Sequence, residues 1–96
     1  MRRDATVRLI REHLDELRRF HVRSISLFGS VARDEAGPAS DLDVLVDFSR
    51  PPTMEDYVGL TLFLQELCGR RVDVLTQDGI KPRVRPLIER DLVHVA

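Results

Sequence analysis

The sequence predicts a small α/β fold of the α+β kind, a mixed sheet of three or four strands with helices on one face. Three observations carry that prediction. Amphipathic helical periods alternate with short strand-like runs in the order helix, strand, turn, strand, helix, strand, helix. One of those runs, LDVLVDF, is apolar enough on both faces to be central in a sheet. The 96 residues suffice for one modest core, so a single domain over 1–96 is expected.

Val7, Ile10, Leu14 and Leu17 recur at helical spacing with charged residues between them. They predict an amphipathic helix from about Thr6 to Phe20, with Asp4 or Thr6 able to cap its start. SISLF, ended by Gly29, reads as a buried strand, and RDEAGPAS, with Gly37-Pro38, as a loop. LDVLVDF is the second strand, interrupted by Arg50-Pro51-Pro52. Thr53 followed by Glu55 and Asp56 has the form of a helix start. Tyr57, Leu60, Phe63, Leu64 and Leu67 continue that second helix, and Gly69 is placed to cap its end. RVDVLT is a third strand. Pro82 can open a last helix carrying Val84, Leu87 and Ile88, although Pro86 removes a hydrogen bond and could delay the start. The ending LVHV can add a short edge strand.

With 43% apolar and 32% charged residues, the composition is that of a soluble globular protein. A formal net charge of -1 gives no general attraction to nucleic acid or anionic membranes. Direct nucleic-acid binding is therefore not expected, and any phosphate binding must be local. Cys68 is the only cysteine, which excludes an intramolecular disulfide and a cysteine metal site, and its helical setting suits a buried thiol. The start, MRRDATVRLIREHLDELRRF, is too charged for a signal peptide or a membrane span, so a cytoplasmic location is expected.

The chemistry lies at the strand ends. Side chains alternate across a strand, so Asp41 and Asp43 share one face while Leu42, Val44 and Val46 share the other. The same alternation sends Val72 and Val74 toward the helices and Asp73 away from them. If the second and third strands are neighbours, three carboxylates converge. Their repulsion drives at least one to protonate unless a cation shares the site, and Mg²⁺ is the natural partner. Gly29-Ser30 supplies the other half: a strand end turning into a short helix, where free N–H groups and the serine hydroxyl suit a phosphate. A phosphate cradle beside a carboxylate cluster fits two-metal nucleotidyl transfer. One metal would be held by all three aspartates and the other by Asp41, Asp43 and the triphosphate.

Gly29-Ser30, ten intervening residues and Asp41-Leu42-Asp43 resemble the GS-x10-DxD signature of the DNA polymerase β-like nucleotidyltransferases, and Asp73 in RVDVL matches their third carboxylate. The form LFGSVARDEAG…SDLDVLV is most similar to the minimal nucleotidyltransferase (MNT) domains. The resemblance covers roughly Ile25 to Thr76. It implies a polymerase β-like fold, ATP as substrate and two Mg²⁺ ions. It also implies an antitoxin role: transfer of AMP to a tyrosine of a HEPN-domain ribonuclease toxin. By the same resemblance Gly29 and Ser30 would contact the triphosphate, and Asp41 and Asp43 would bind both metals. Asp73 would bind the catalytic metal and help deprotonate the acceptor hydroxyl.

Each signal also has a plainer reading. A Gly-Ser pair can be only a turn, and an Asp-x-Asp only edge charge; it is their joint order and spacing with Asp73 that points to a site. Arg33 could reach a phosphate or pair with Asp34 or Glu35. Asp47 shares the carboxylate face but lies roughly 13 Å beyond Asp43 along the strand, which suits a surface charge. His13, His21 and His94 show no ligand spacing. Arg70-Arg71 could meet nucleic acid or complement the preceding helix dipole. Two functional classes remain open beside the adenylyltransferase. One is a binding module that neutralises its partner by occlusion. The other is transfer to a small molecule or RNA, with a second subunit supplying the acceptor site.

Overall fold

A computed structural model describes residues 2–96. Its elements run α1 (Arg3–Arg11), α2 (Leu14–Arg18), β1 (Val22–Phe28), α3 (Gly29–Ala32), β2 (Leu42–Phe48), α4 (Met54–Cys68), β3 (Val72–Thr76), a 3-10 turn (Gln77–Gly79), α5 (Arg85–Asp91) and β4 (Val93–His94). The four strands form one mixed sheet in the order β3-β2-β1-β4. β1 pairs antiparallel with β2 and with β4, whereas β3 lies parallel to β2. LDVLVDF is thus an inner strand, as its two apolar faces require.

The first helix departs from expectation. It begins earlier, at Arg3, and breaks at Glu12-His13 into α1 and α2. At the break the His13 ring nitrogen Nδ1 lies 2.9 Å from the Leu9 carbonyl, and the His13 amide donates instead to Ile10. A side chain taking the i−4 acceptor competes with the helical ladder at that point. Thr6 does not cap; it is buried and its hydroxyl donates to the Arg2 carbonyl at 2.8 Å. Asp34 serves the helix start from the other end of α3, accepting the Arg3 amide at 3.0 Å.

The second long helix follows its sequence signals. Thr53 and Asp56 form a reciprocal capping box, and Gly69 closes the end in the left-handed region at φ 68°. Asp56 is buried and held below the usual carboxylate range, first by the Thr53 amide and then by His21 and Arg50. α4 also protects the outer edge of β3. The Tyr57 hydroxyl donates to the Val74 carbonyl at 2.8 Å, and the Gln65 side-chain oxygen accepts the Val72 amide at 3.3 Å.

Helices cover both faces, not one. Ile10, Leu17, Ile25, Leu27, Val44, Leu60 and Leu64 build the larger core beneath α1, α2 and α4. A smaller core of Leu45, Ile80 and Ile88, with Phe28, Leu75 and Leu92 packed against it, lies on the other face under α5. Leu45 and Leu75 have the parity of Asp43 and Asp73, so α5 shares the carboxylate face. Pro86 sits in the first turn of α5, which starts at Arg85 and not at Pro82. No helix among the described residues is long and apolar enough to cross a membrane.

Candidate active site

Strand register assembles the site. Phe28, the last residue of β1, faces Asp43 across the sheet, and Asp43 faces Asp73. Two inter-strand steps, about 10 Å in all, therefore carry the Gly-Ser turn on one side of Asp43 and Asp73 on the other. Asp41 lies one residue ahead of β2 and is half-buried, Asp43 is half-buried within the strand, and Asp73 is exposed.

Gly29 shows why this turn needs glycine. Its φ is +75°, and a Cβ there would collide with Oδ2 of Asp43 and lie 3.2 Å from its Cγ. The backbone of the turn thus rests directly on the central carboxylate. From Gly29 the chain enters the four residues of α3, and Ser30 is half-buried at their start.

The electrostatics match the expected repulsion. Asp43 is pushed up to about 6, first by burial and then by Asp73 and Asp41, while Arg33 pulls the other way. Asp43 and Asp73 are close enough to share a hydrogen bond when one carries a proton. The side chains do not stand closed as a cage: among the described residues no three His, Cys, Asp or Glu groups are gathered at metal-ligand distance.

Sequence reading left Arg33 between two roles, and the geometry gives it a third partner. It donates to Glu35 at 3.1 Å, as one alternative expected, and to Asp91 of α5 at 2.8 Å. That pair ties the end of α3 to the end of α5, and Arg33 holds the Asp91 carboxyl below its usual range. Arg70 also has a role the sequence did not announce. Its guanidinium donates to the Ser40 carbonyl at 2.9 Å and the Gly37 carbonyl at 3.4 Å, gripping the loop that delivers Asp41. Only a contact between residues 30 apart could show this, and no local pattern encodes it. Asp47 is a surface charge paired with Arg23 at 2.7 Å, and His21 meets Asp56 at 3.2 Å. Cys68 is buried, which pushes its thiol upward.

With this geometry in hand, comparison with known proteins is decisive. The nucleotidyltransferase domain family matches residues 8–94. The chain belongs to that family. This nucleotidyltransferase is 39% identical over 88 residues to the protein adenylyltransferase MntA of Thermococcus cleftensis, covering 91% of this chain and 89% of that one. A solved structure provisionally described as a minimal nucleotidyltransferase is 39% identical, with a TM-score of 0.79 over 97% of this chain and 95% of that one. The fold is also similar to that in the complex of a tri-AMPylated Shewanella oneidensis HEPN toxin with its MNT antitoxin. There the TM-score is 0.66 at 16% identity, over 94% of this chain and 71% of the matched one. The protein is thus an enzyme of the nucleotidyltransferase type, built as a minimal nucleotidyltransferase domain.

Proposed function

We propose that this nucleotidyltransferase moves AMP from ATP to a tyrosine hydroxyl of a HEPN ribonuclease toxin and so acts as its antitoxin in the cytoplasm. The observation that carries the proposal is Asp43, seated against Gly29 on one side and in register with Asp73 on the other. A relative named as a protein adenylyltransferase and a similar fold in complex with an AMPylated toxin support the same reading.

The donor set suits Mg²⁺, since carboxylate oxygens are the ligands such an ion takes and Asp43 is short of positive charge. Asp41, Asp43 and Asp73 would hold it, two ions by the family pattern. Bound magnesium would supply Lewis acidity to the acceptor hydroxyl and to the departing pyrophosphate. The remaining work belongs to the protein. Gly29 lets the backbone approach the triphosphate, and the Ser30 hydroxyl donates to it. Arg70 steadies the loop behind Asp41 through the Ser40 carbonyl. Asp73, exposed at the edge of the cluster, is open to take the proton of the acceptor hydroxyl on a carboxylate oxygen.

The test is incubation with ATP, Mg²⁺ and the toxin co-purified with this protein, read by intact mass. The partner should gain adenylyl groups, and the Asp41→Asn/Asp43→Asn double variant should add none while remaining folded. One observation favours the second reading, neutralisation by occlusion. Met54, Val58 and Leu62 lie four residues apart along α4 and are 75%, 42% and 59% exposed, an apolar row suited to contact. A double variant that still protects cells from the toxin would select occlusion over catalysis.

A further inference from the structure

A pocket of about 540 Å³ opens on the carboxylate face, between the sheet and the start of α5. Its lining is mostly apolar, with Phe28, Leu75, Ile80, Val84 and Ile88 among it, and it includes Asp43 and Asp73. Gly29 and Ser30 are not part of its lining. The pocket runs past Asp73 to the outer edge of β3, where Tyr57 stands. Phe28 is its one lining residue from β1, whereas Asp73, Val74 and Leu75 come from β3, so most of the lining that the sheet supplies lies on the Asp73 side of Asp43.

Nucleotidyl transfer requires the attacking and leaving oxygens to lie in line through phosphorus. If pyrophosphate departs toward Gly29-Ser30, the attacking hydroxyl must arrive from the Asp73 side. On that side Asp73, Val74, Leu75 and Ile80 wall this pocket. Its apolar lining suits a ring, not a second phosphate. Two of its large apolar lining residues are left open to solvent, Tyr57 at 38% and Val84 at 39%, and Leu87, one turn after Val84, is 53% exposed. A free small molecule would leave them uncovered, whereas a protein surface would cover them. Lys81, the only lysine of the chain, lines the pocket, and Arg83 follows two residues on. Both are exposed, and among the described residues neither is engaged in an ion pair.

We infer that this pocket is the acceptor site, seating an aromatic hydroxyl side chain carried on an acidic stretch of the partner protein. This deepens the function proposed above and rests on it. The acceptor oxygen forms its bond to the α-phosphorus as the bond to the bridging oxygen breaks. Pyrophosphate leaves with the electron pair, and the hydroxyl proton passes to the Asp73 carboxylate. Ile80, Val84 and Ile88 hold the ring, and Lys81 with Arg83 meets the flanking acidic residues.

Two exposed positions test this, Lys81→Glu and Val84→Asp, each compared with wild type in two measurements. One is the affinity for a non-hydrolysable ATP analogue with Mg²⁺, by calorimetry. The other is the rate of adenylyl transfer to the co-purified partner as its concentration is varied. The pocket assignment predicts an unchanged analogue affinity and a KM for the partner raised about tenfold or more. An analogue affinity lost in parallel would place the nucleoside in the pocket and overturn the inference, leaving adenylyl transfer intact. Unchanged kinetics in both variants would overturn it as well. A wild type that modifies no partner would overturn the functional reading itself, and the pocket assignment with it.

Discussion

At the scale of single residues, Asp43 concentrates the conflict between folding and function. It is half-buried, flanked by two other carboxylates and pressed against Gly29, and its proton affinity rises to about 6. Because the folded value lies above the ordinary carboxylate value, ionised Asp43 weakens the metal-free fold at neutral pH. That penalty fades as pH falls from about 6 toward the unfolded value, where both states bind the proton. Asp43→Asn should therefore stabilise the metal-free protein by about 1 kcal/mol at pH 7.5, allowing for solvent screening, with little gain near pH 4. Thermal melts in a chelator at the two pH values measure this. Equal gains at both would mean that charge is not the cause. Gly29 belongs to the same balance, since any side chain there meets both a left-handed backbone and the carboxylate.

At the scale of elements, α4 is specified at both ends and used along its length. The capping box satisfies amides at its start, and the Gly69 cap its carbonyls at the finish. Tyr57 and Gln65 cover β3, so the edge beside Asp73 is supported by side chains of the helix before it. Thr53→Ala should cost about 1 kcal/mol of stability, as losses of such caps do. Denaturant melts give the value. Thr53→Asp, which keeps an acceptor, should restore most of it. The break between α1 and α2 makes the opposite point. Nothing in the periodicity of Val7, Ile10, Leu14 and Leu17 marks it, because the His13 ring and the Leu9 carbonyl act on a period that continues through them.

At the scale of the whole molecule, the sheet separates two cores of unequal size. The larger one anchors α1, α2 and α4, and the smaller one holds α5 over the carboxylate face. α5 is held by the apolar contacts around Leu45 and Ile88, by the Arg33–Asp91 pair to α3 and by hydrogen bonds from Arg85 to Gln77 of the 3-10 turn. Leu45→Ala removes the buried sheet residue of the first and should cost about 2–4 kcal/mol. Hydrogen exchange should then quicken in α5 and in the 3-10 turn before it quickens in α4. Uniform acceleration across both helices would show that the two cores unfold together.

The linear sequence determined what repeats locally or is matched by short motifs. Helical and strand periods, the signals at Thr53 and Gly69, the spacing of Gly29-Ser30 from Asp41 and Asp43, and the parity of Asp73 are all properties of neighbours along the chain. Most of the sheet and the proposed catalytic residues were therefore legible. Tertiary structure decided what depends on distant partners. It set Asp43 opposite both Phe28 and Asp73, turned Arg70 onto the Ser40 carbonyl and Arg33 onto Asp91, and laid α5 on the same face as the carboxylates. The helix LIER carries no mark of which face it will choose. Leu45 does, since an apolar residue of Asp43 parity needs a cover, but only the packed sheet shows that α5 provides it and leaves a pocket beside Asp73.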